Sequence, residues 1–393
     1  MKKFGFLLFA LLALVASCKQ NDSPYIDPRG TDFAGDQSCI QCHAPQHKSW
    51  LADAHSSSTA LATEDNVLGK FNPVDHEFKY DEHTKLVMEK RHDGFYQVVY
   101  LDGKETAKYK FDIVFGSKNA QTSAYWKDGQ TYELPVSYYK SADAWGSSPG
   151  FPDDRPFFGR IMEKDCYACH ASNVNNRQVT TASDQRNISS MDIGNSVNPE
   201  TAVFGIDCER CHGPAKSHVD HHIAFPTEKK AFGIASFKLF TNTQKNDACS
   251  ICHSGIAGMK IKSRFEFKPG DNLFDYYRPS PDYQSANHDV HGNQAQLLGQ
   301  SKCFIKSQTL NCTSCHDSHQ ENRQTIAGFT KICMDCHKTS NHGNMDITQR
   351  DLEKGCIDCH MPKQASKAIN FRLSGSKDVK SYELRTHKIA IYQ

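Results

Sequence analysis

The chain has 393 residues, of which 38% are hydrophobic and 23% charged, with a mean hydropathy of −0.63. Its 46 Lys and Arg nearly cancel its 45 Asp and Glu, leaving a formal charge of +1; this excludes the basic footprint of a nucleic-acid binder and the charge imbalance of a disordered chain. No run after the N-terminus is long and apolar enough to span a bilayer, which excludes a polytopic membrane protein, and the unusual counts are 16 Cys and 20 His.

Residues 1–17 read as a lipoprotein signal peptide. Lys2 and Lys3 form a positive start, and the apolar run from Phe4 to Val15 is too short to cross a membrane. Val15, Ala16, Ser17 and Cys18 resemble a lipoprotein box, in which cleavage leaves Cys18 as the lipid-bearing N-terminus. Each buried CH₂ of such an anchor contributes about 0.8 kcal/mol. The alternative is an ordinary signal that removes Cys18. Residues 18–35, rich in Asn, Asp, Ser, Pro and Gly, read as a tether. Lys19 in place of an aspartate favours the outer over the inner membrane. The expected location is the bacterial cell envelope, in the outer membrane or facing the periplasm.

From residue 36 onward the pentapeptide C-x-x-C-H recurs seven times. It occurs at Cys39, Cys42 and His43; at Cys166, Cys169 and His170; at Cys208, Cys211 and His212; and at Cys249, Cys252 and His253. The last three are Cys312, Cys315 and His316; Cys333, Cys336 and His337; and Cys356, Cys359 and His360. These motifs use 14 of the 16 cysteines and leave Cys18 and Cys303, the latter expected as a buried thiol. Two cysteines at this spacing put both sulfurs on one turn, where they add to the two vinyl groups of a haem, and the next residue points an imidazole at the iron. Disulfides do not require a histidine after every second cysteine. Zinc sites need such pairs to converge in twos, which an odd number cannot satisfy. The expected cofactors are seven covalently bound haem c groups. Their faces replace missing aliphatic core, and their propionates make the holoprotein acidic.

Residues 36–70 form the first haem segment. Within the 127-residue spacing to the second motif, residues 71–140 read as a β meander insert. Alternation marks strands at Lys85–Lys90, Phe95–Leu101, Thr106–Phe115, Thr122–Trp126 and Thr131–Pro135, with turn signals at Asp93-Gly94, Asp102-Gly103 and Asp128-Gly129. Residues 141–393 read as the domain carrying haems 2 to 7, with an exposed polar loop at 172–200 and a last strand-like piece from Leu384 to Tyr392. The fold class expected is mainly α and irregular: short helices wrapped around a stacked haem array, with a small antiparallel meander between haems 1 and 2.

Thirteen histidines remain for the far sides of the irons. His319, His218 and His342 follow their own motif histidines by three, six and five residues. At about 1.5 Å per residue they cannot round their own porphyrin and would brace a neighbouring one. His55 lies on a stretch, Ala44 to Ala62, that reads as helical. With His291 and His387 these are the expected distal ligands; His47, His222 and His288 are reserves, and His83 and His92 read as solvent-facing. Met361 is too close to His360 to ligate the same iron, while Met259 and Met345 stay open.

The run Gly35-Asp-Gln-Ser-Cys39-Ile-Gln-Cys42-His43 with Trp50 and His55 resembles a first haem segment of the multihaem cytochromes c related to cytochrome c-554 and hydroxylamine oxidoreductase. So do Cys208-Glu-Arg-Cys211-His212-Gly213-Pro214 with His218, Cys312 to His319, Cys356 to Pro362, and Thr386-His387-Lys388-Ile389 as later segments. Ser318 stands where relatives commonly carry proline. The resemblance implies closely packed parallel and perpendicular haem pairs and transfer of single electrons between a membrane donor and a periplasmic or outer-membrane acceptor, with redox partner proteins in the envelope and no nucleic acid. The alternative is an oxidoreductase acting on a small nitrogen or sulfur compound at one five-coordinate haem. The C-x-x-C-K motif of the pentahaem nitrite reductases does not occur.

Overall fold

The computed structural model describes residues 26–174, 197–255, 258–279, 281, 287–320, 325–337, 342 and 355–392. The expected signal peptide, Cys18, Met345 and most of the expected loop at 172–200 lie outside these residues.

Ten strands occupy the chain between the first two motifs: β1 (Thr59–Leu61), β2 (Glu77–Lys79), β3 (Thr84–Arg91), β4 (Gly94–Leu101), β5 (Lys104–Lys110), β6 (Ile113–Phe115), β7 (Ala120–Lys127), β8 (Gln130–Glu133), β9 (Val136–Tyr139) and β10 (Ala144–Ser147). Strands β2 to β5 make a four-stranded antiparallel meander. The second sheet runs β1-β6-β7-β9-β10, with β8 paired to β7. Two tight hairpins follow from sequence: Asp102 and Gly103 (φ 49° and 78°) and Asp128 and Gly129 (φ 53° and 75°) take the left-handed pair of conformations that matches strand twist.

The strand expected from Thr106 to Phe115 is two strands in two sheets. Phe111 turns into the core and the Asp112 carboxylate accepts the Trp126 N–H, so the chain leaves one sheet and enters the other. Phe78, Leu86, Met88, Phe95, Phe111, Leu134, Val136, Tyr138 and Trp145 form the core of this β unit. A second apolar cluster, including Ile113, Phe115, Met162 and Tyr167, fastens the unit to the second motif.

The expectation of a mainly helical and irregular fold is overturned. Helix accounts for 28% and strand for 26%, and several antiparallel sheets are present. Beyond the two large sheets, strand pairs join Ala171–Asn173 to Val203–Phe204, Gly258–Lys260 to Tyr277–Pro279, and Lys363–Arg372 to Val379–Arg385. The physical reason is that several motif helices stop at or just past the motif histidine while strand pairs fill the segments between motifs. The Cys208–His212 helix stops at Gly213 (φ 75°) before Pro214. The C-terminal hairpin is largely exposed and polar, so it carries weak alternation. Leu384–Tyr392 is not one strand: pairing ends at Arg385 and the chain then runs past the seventh motif, where the Ala390 N–H donates to the His360 carbonyl.

The helix expected from Ala44 to Ala62 ends at Leu51. Ser56 and Ser57 hydroxyls donate to the carbonyl of Asp53, and that of Ser58 to His55, bonds that compete with helix and hold a turn around His55.

Candidate metal centres

Each motif lies on or beside a helical segment, and several of these segments have a side-chain cap at their start. The Asp207 carboxylate accepts the Arg210 N–H before Cys208, Thr241 and Gln244 form a capping box before Asn242–His253, and Thr325 caps Ile326–Cys336. On a helix, residues three apart share a face, so both sulfurs point one way and the histidine closes the turn. In the first motif, His43 leaves helical geometry (φ −119°, ψ 34°), and Pro45 stands in the first turn of the helix that follows, where no N–H partner is lost.

The fold brings motif histidines face to face with histidines from elsewhere in the chain. His43 lies 6.4 Å from His218 between ring centroids, His253 lies 6.3 Å from His55, and His212 lies 5.9 Å from His319. His316 lies 6.1 Å from His387 and His360 lies 6.3 Å from His342. An imidazole nitrogen bonds a metal at about 2.0 Å and lies about 1.1 Å from its ring centre, so two imidazoles on opposite sides of one iron would have centroids about 6.2 Å apart. The five pairs fall at that separation. His218 and His222, at 4.6 Å, are too close to hold a metal between them in this way. Burial lowers the His170 pKa, and the positive form of His291 adds to that lowering. His337 makes no ring contact or ion pair among the described residues.

Second nitrogens are tied down. The Nδ1–H of His212 donates to the Ala235 carbonyl at 3.1 Å, that of His218 to Phe232 at 2.9 Å and that of His360 to Ala390 at 2.8 Å. His55 Nδ1 meets the Asp53 carboxylate at 2.7 Å. These bonds orient the rings and leave Nε2 free for a metal. Burial pushes His253 and His387 down to about 4, each helped by a facing imidazole, and so keeps both in the neutral form that ligates. His221 instead spends Nε2 on Glu228 at 2.9 Å. His47 is buried against Trp50 and Asp36. The side chains of His83 and His92 are exposed beside Asp102 and Asp93, and Met259 is exposed too. Cys303 is half-buried, not buried.

Cysteines of different motifs also meet. Cys39 interacts with Cys208, Cys169 with Cys252, Cys249 with Cys312 and Cys333 with Cys356. The Cys252 thiol reaches the Ala168 carbonyl of the second motif at 3.7 Å, and Asn246, on the helix of the fourth motif, accepts the Cys312 N–H of the fifth at 3.1 Å. The residues fit a haem at these places on two further counts. Cys42, Cys166, Cys336 and Cys359 are exposed, open to a covalent partner. The Ile326–Cys336 helix, apolar in sequence, buries none of its residues against protein.

Two features around the motifs carry no sequence signature beyond single letters. Glu209, inside the third motif, is buried and accepts the N–H groups of Ala34, Gly35 and Ala215 at 2.8–2.9 Å. Arg29 pairs with it at 2.9 Å and with Asp27 and Asp207. Burial opposes the Arg29 charge, but the carboxylates outweigh it and raise its pKa. Gly205 (φ +71°) lets its strand pass so close to the His55 turn that an added Cβ would lie 2.2 Å from the Ser56 carbonyl oxygen.

Short cysteine–histidine helices with imidazoles facing across gaps, joined to a β unit, define a cytochrome fold. The crystal structure of the outer cell wall cytochrome OcwA shares it, with a TM-score of 0.54 and 16% identity over 91% of this chain and 80% of that one. In sequence, the chain is 23% identical over 177 residues to the multiheme cytochrome MtrA of Shewanella baltica (strain OS185). That match takes in 43% of this chain and 46% of the relative, so it spans about half of the curated protein. No family model matches the chain.

Proposed function

We propose that the chain is a heptahaem c-type cytochrome that passes single electrons between a membrane donor and an acceptor in the periplasm or outer membrane. The observation that carries this reading is the set of imidazole pairs, each joining a C-x-x-C-H histidine to a second histidine 5.9–6.4 Å away. When bound, haem supplies a one-electron ferric/ferrous couple. The chain's own contribution is to hold imidazoles that would occupy both faces of the paired irons, leaving those irons no open position for a substrate. In this assignment His218, His291, His319, His55, His387 and His342 are distal to the first, second, third, fourth, fifth and seventh motif histidines. His218, His319, His55 and His342 come from segments following other motifs and so brace one haem against the next. The names of the two relatives, a multiheme cytochrome and an outer cell wall cytochrome, support an envelope electron-transfer role. Lipid attachment at Cys18, envelope redox partners and kinship with the cytochrome c-554 and hydroxylamine oxidoreductase group complete the proposal.

Low-temperature EPR of the ferric holoprotein tests it. Low-spin signals should dominate and remain unchanged when nitrite, hydroxylamine or tetrathionate is added. A high-spin signal that shifts with one of these compounds would move the chain to the oxidoreductase reading. His387→Ala should render one iron high-spin without loss of a haem, and an unchanged spectrum would remove His387 from the ligand set.

A further inference from the structure

We infer that Arg264 and Arg210, placed between the second, third and fourth motifs, raise the potentials of the second and fourth haems above that of the first. This inference rests on the multihaem reading and adds an order of potentials to it. Arg264 is 2% exposed. Its Nη1 lies 2.8 Å from the Cys169 sulfur, its Nε donates to the Tyr277 hydroxyl, and its carbonyl accepts Arg210 Nη2 at 2.7 Å. Arg210 also reaches the Ala168 carbonyl at 3.4 Å, and its buried Nε has no hydrogen-bond partner. The Cys252 sulfur lies 3.7 Å from the same carbonyl, so both motifs converge on the two guanidinium groups.

Neither arginine has a carboxylate within ion-pair distance among the described residues. A buried cation without an anion is costly, so any gain of negative charge beside it is favoured. Reduction of a haem held by Cys169 or Cys252 is such a gain. Other charges near the second motif are Glu133 with Arg160 at 3.3 Å, Asp165 with Lys260 at 2.6 Å, and Glu163 and Lys164, just ahead of Cys166.

Around the meeting point of Cys39 and Cys208 the balance is opposite. Asp27, Asp207 and Glu209 surround the single cation Arg29, and Asp36 acts on Cys39 as well. Adding an electron there is opposed. A haem held at Cys39 would thus have a lower potential than haems held at Cys169 and Cys252.

The test is a spectropotentiometric titration of the holoprotein and of Arg264→Met, Arg210→Met and Arg264→Lys, with haem content measured on each. The highest-potential fraction of the titration should shift downward in both Met variants and hold in Arg264→Lys, with haem content equal throughout. Arg210 is only partly buried, so Arg210→Met decides the matter if Arg264→Met does not accumulate. Full haem content with unmoved potentials would overturn the inference and leave the multihaem reading standing. Loss of a haem in the Met variants would give the arginines a folding role and also overturn it. A wild-type protein without covalent haem would overturn the underlying reading instead.

Discussion

His55→Ala is expected to remove one distinct low-spin EPR signal, create one high-spin iron and leave the number of attached haems unchanged. The reason is geometric. The ring planes of His43 and His218, His212 and His319, and His316 and His387 differ by 19°, 21° and 25°, whereas those of His55 and His253 differ by 86°. Near-parallel imidazoles act on the same iron d orbital and separate it from its partner. Perpendicular imidazoles act on both and leave them almost degenerate, which gives a strongly anisotropic signal. One such signal should therefore belong to the fourth motif and vanish with His55. Its survival in the variant would remove His55 from the fourth iron, and its absence from the wild type would contradict the perpendicular pair. Asp53, which holds His55 Nδ1 at 2.7 Å, is the positioning residue of that centre.

Glu209→Ala is expected to destabilise the folded protein by about 3 to 5 kcal/mol, the usual cost of breaking a buried ion pair by removing one partner. The side chains of Arg29 and Glu209 are 7% and 1% exposed, and three backbone N–H groups depend on the same carboxylate. Its loss also frees the Ala34 and Gly35 N–H groups, just ahead of the first motif, from the third motif. Denaturant unfolding with haem content held equal measures the loss. A change below about 1 kcal/mol would place Glu209 among ordinary surface pairs.

The motifs were legible because thioether chemistry demands a fixed pentapeptide, and no tertiary context is needed to see it. The partners of the motif histidines were legible in part for a different reason. His218, His319 and His342 lie too few residues from their own motif histidines to reach round a porphyrin, and the fold sets them 5.9–6.4 Å from histidines of other motifs. Which histidine meets which was not legible, since those pairings join residues far apart in the chain, such as His55 and His253.

Local turn chemistry served well where it was strong, as at Asp102-Gly103 and Asp128-Gly129. It failed where side chains compete with the backbone, as in the serines after His55, and where a strand changes sheets, as at Phe111 and Asp112. The overall class is not mainly helical because two sheets and a polar C-terminal hairpin bring strand to 26% beside 28% helix. The buried clusters at Glu209 and Arg264 could not be foreseen at all, because a charged residue inside or beside a motif looks like any solvated one until its neighbours are known.

Intact-mass spectrometry of the exported protein tests the central claim most directly. The account predicts the chain processed to begin at Cys18, its lipid, and an excess equal to seven haems joined through paired thioethers. An excess matching any other number of haems, or none, would contradict it.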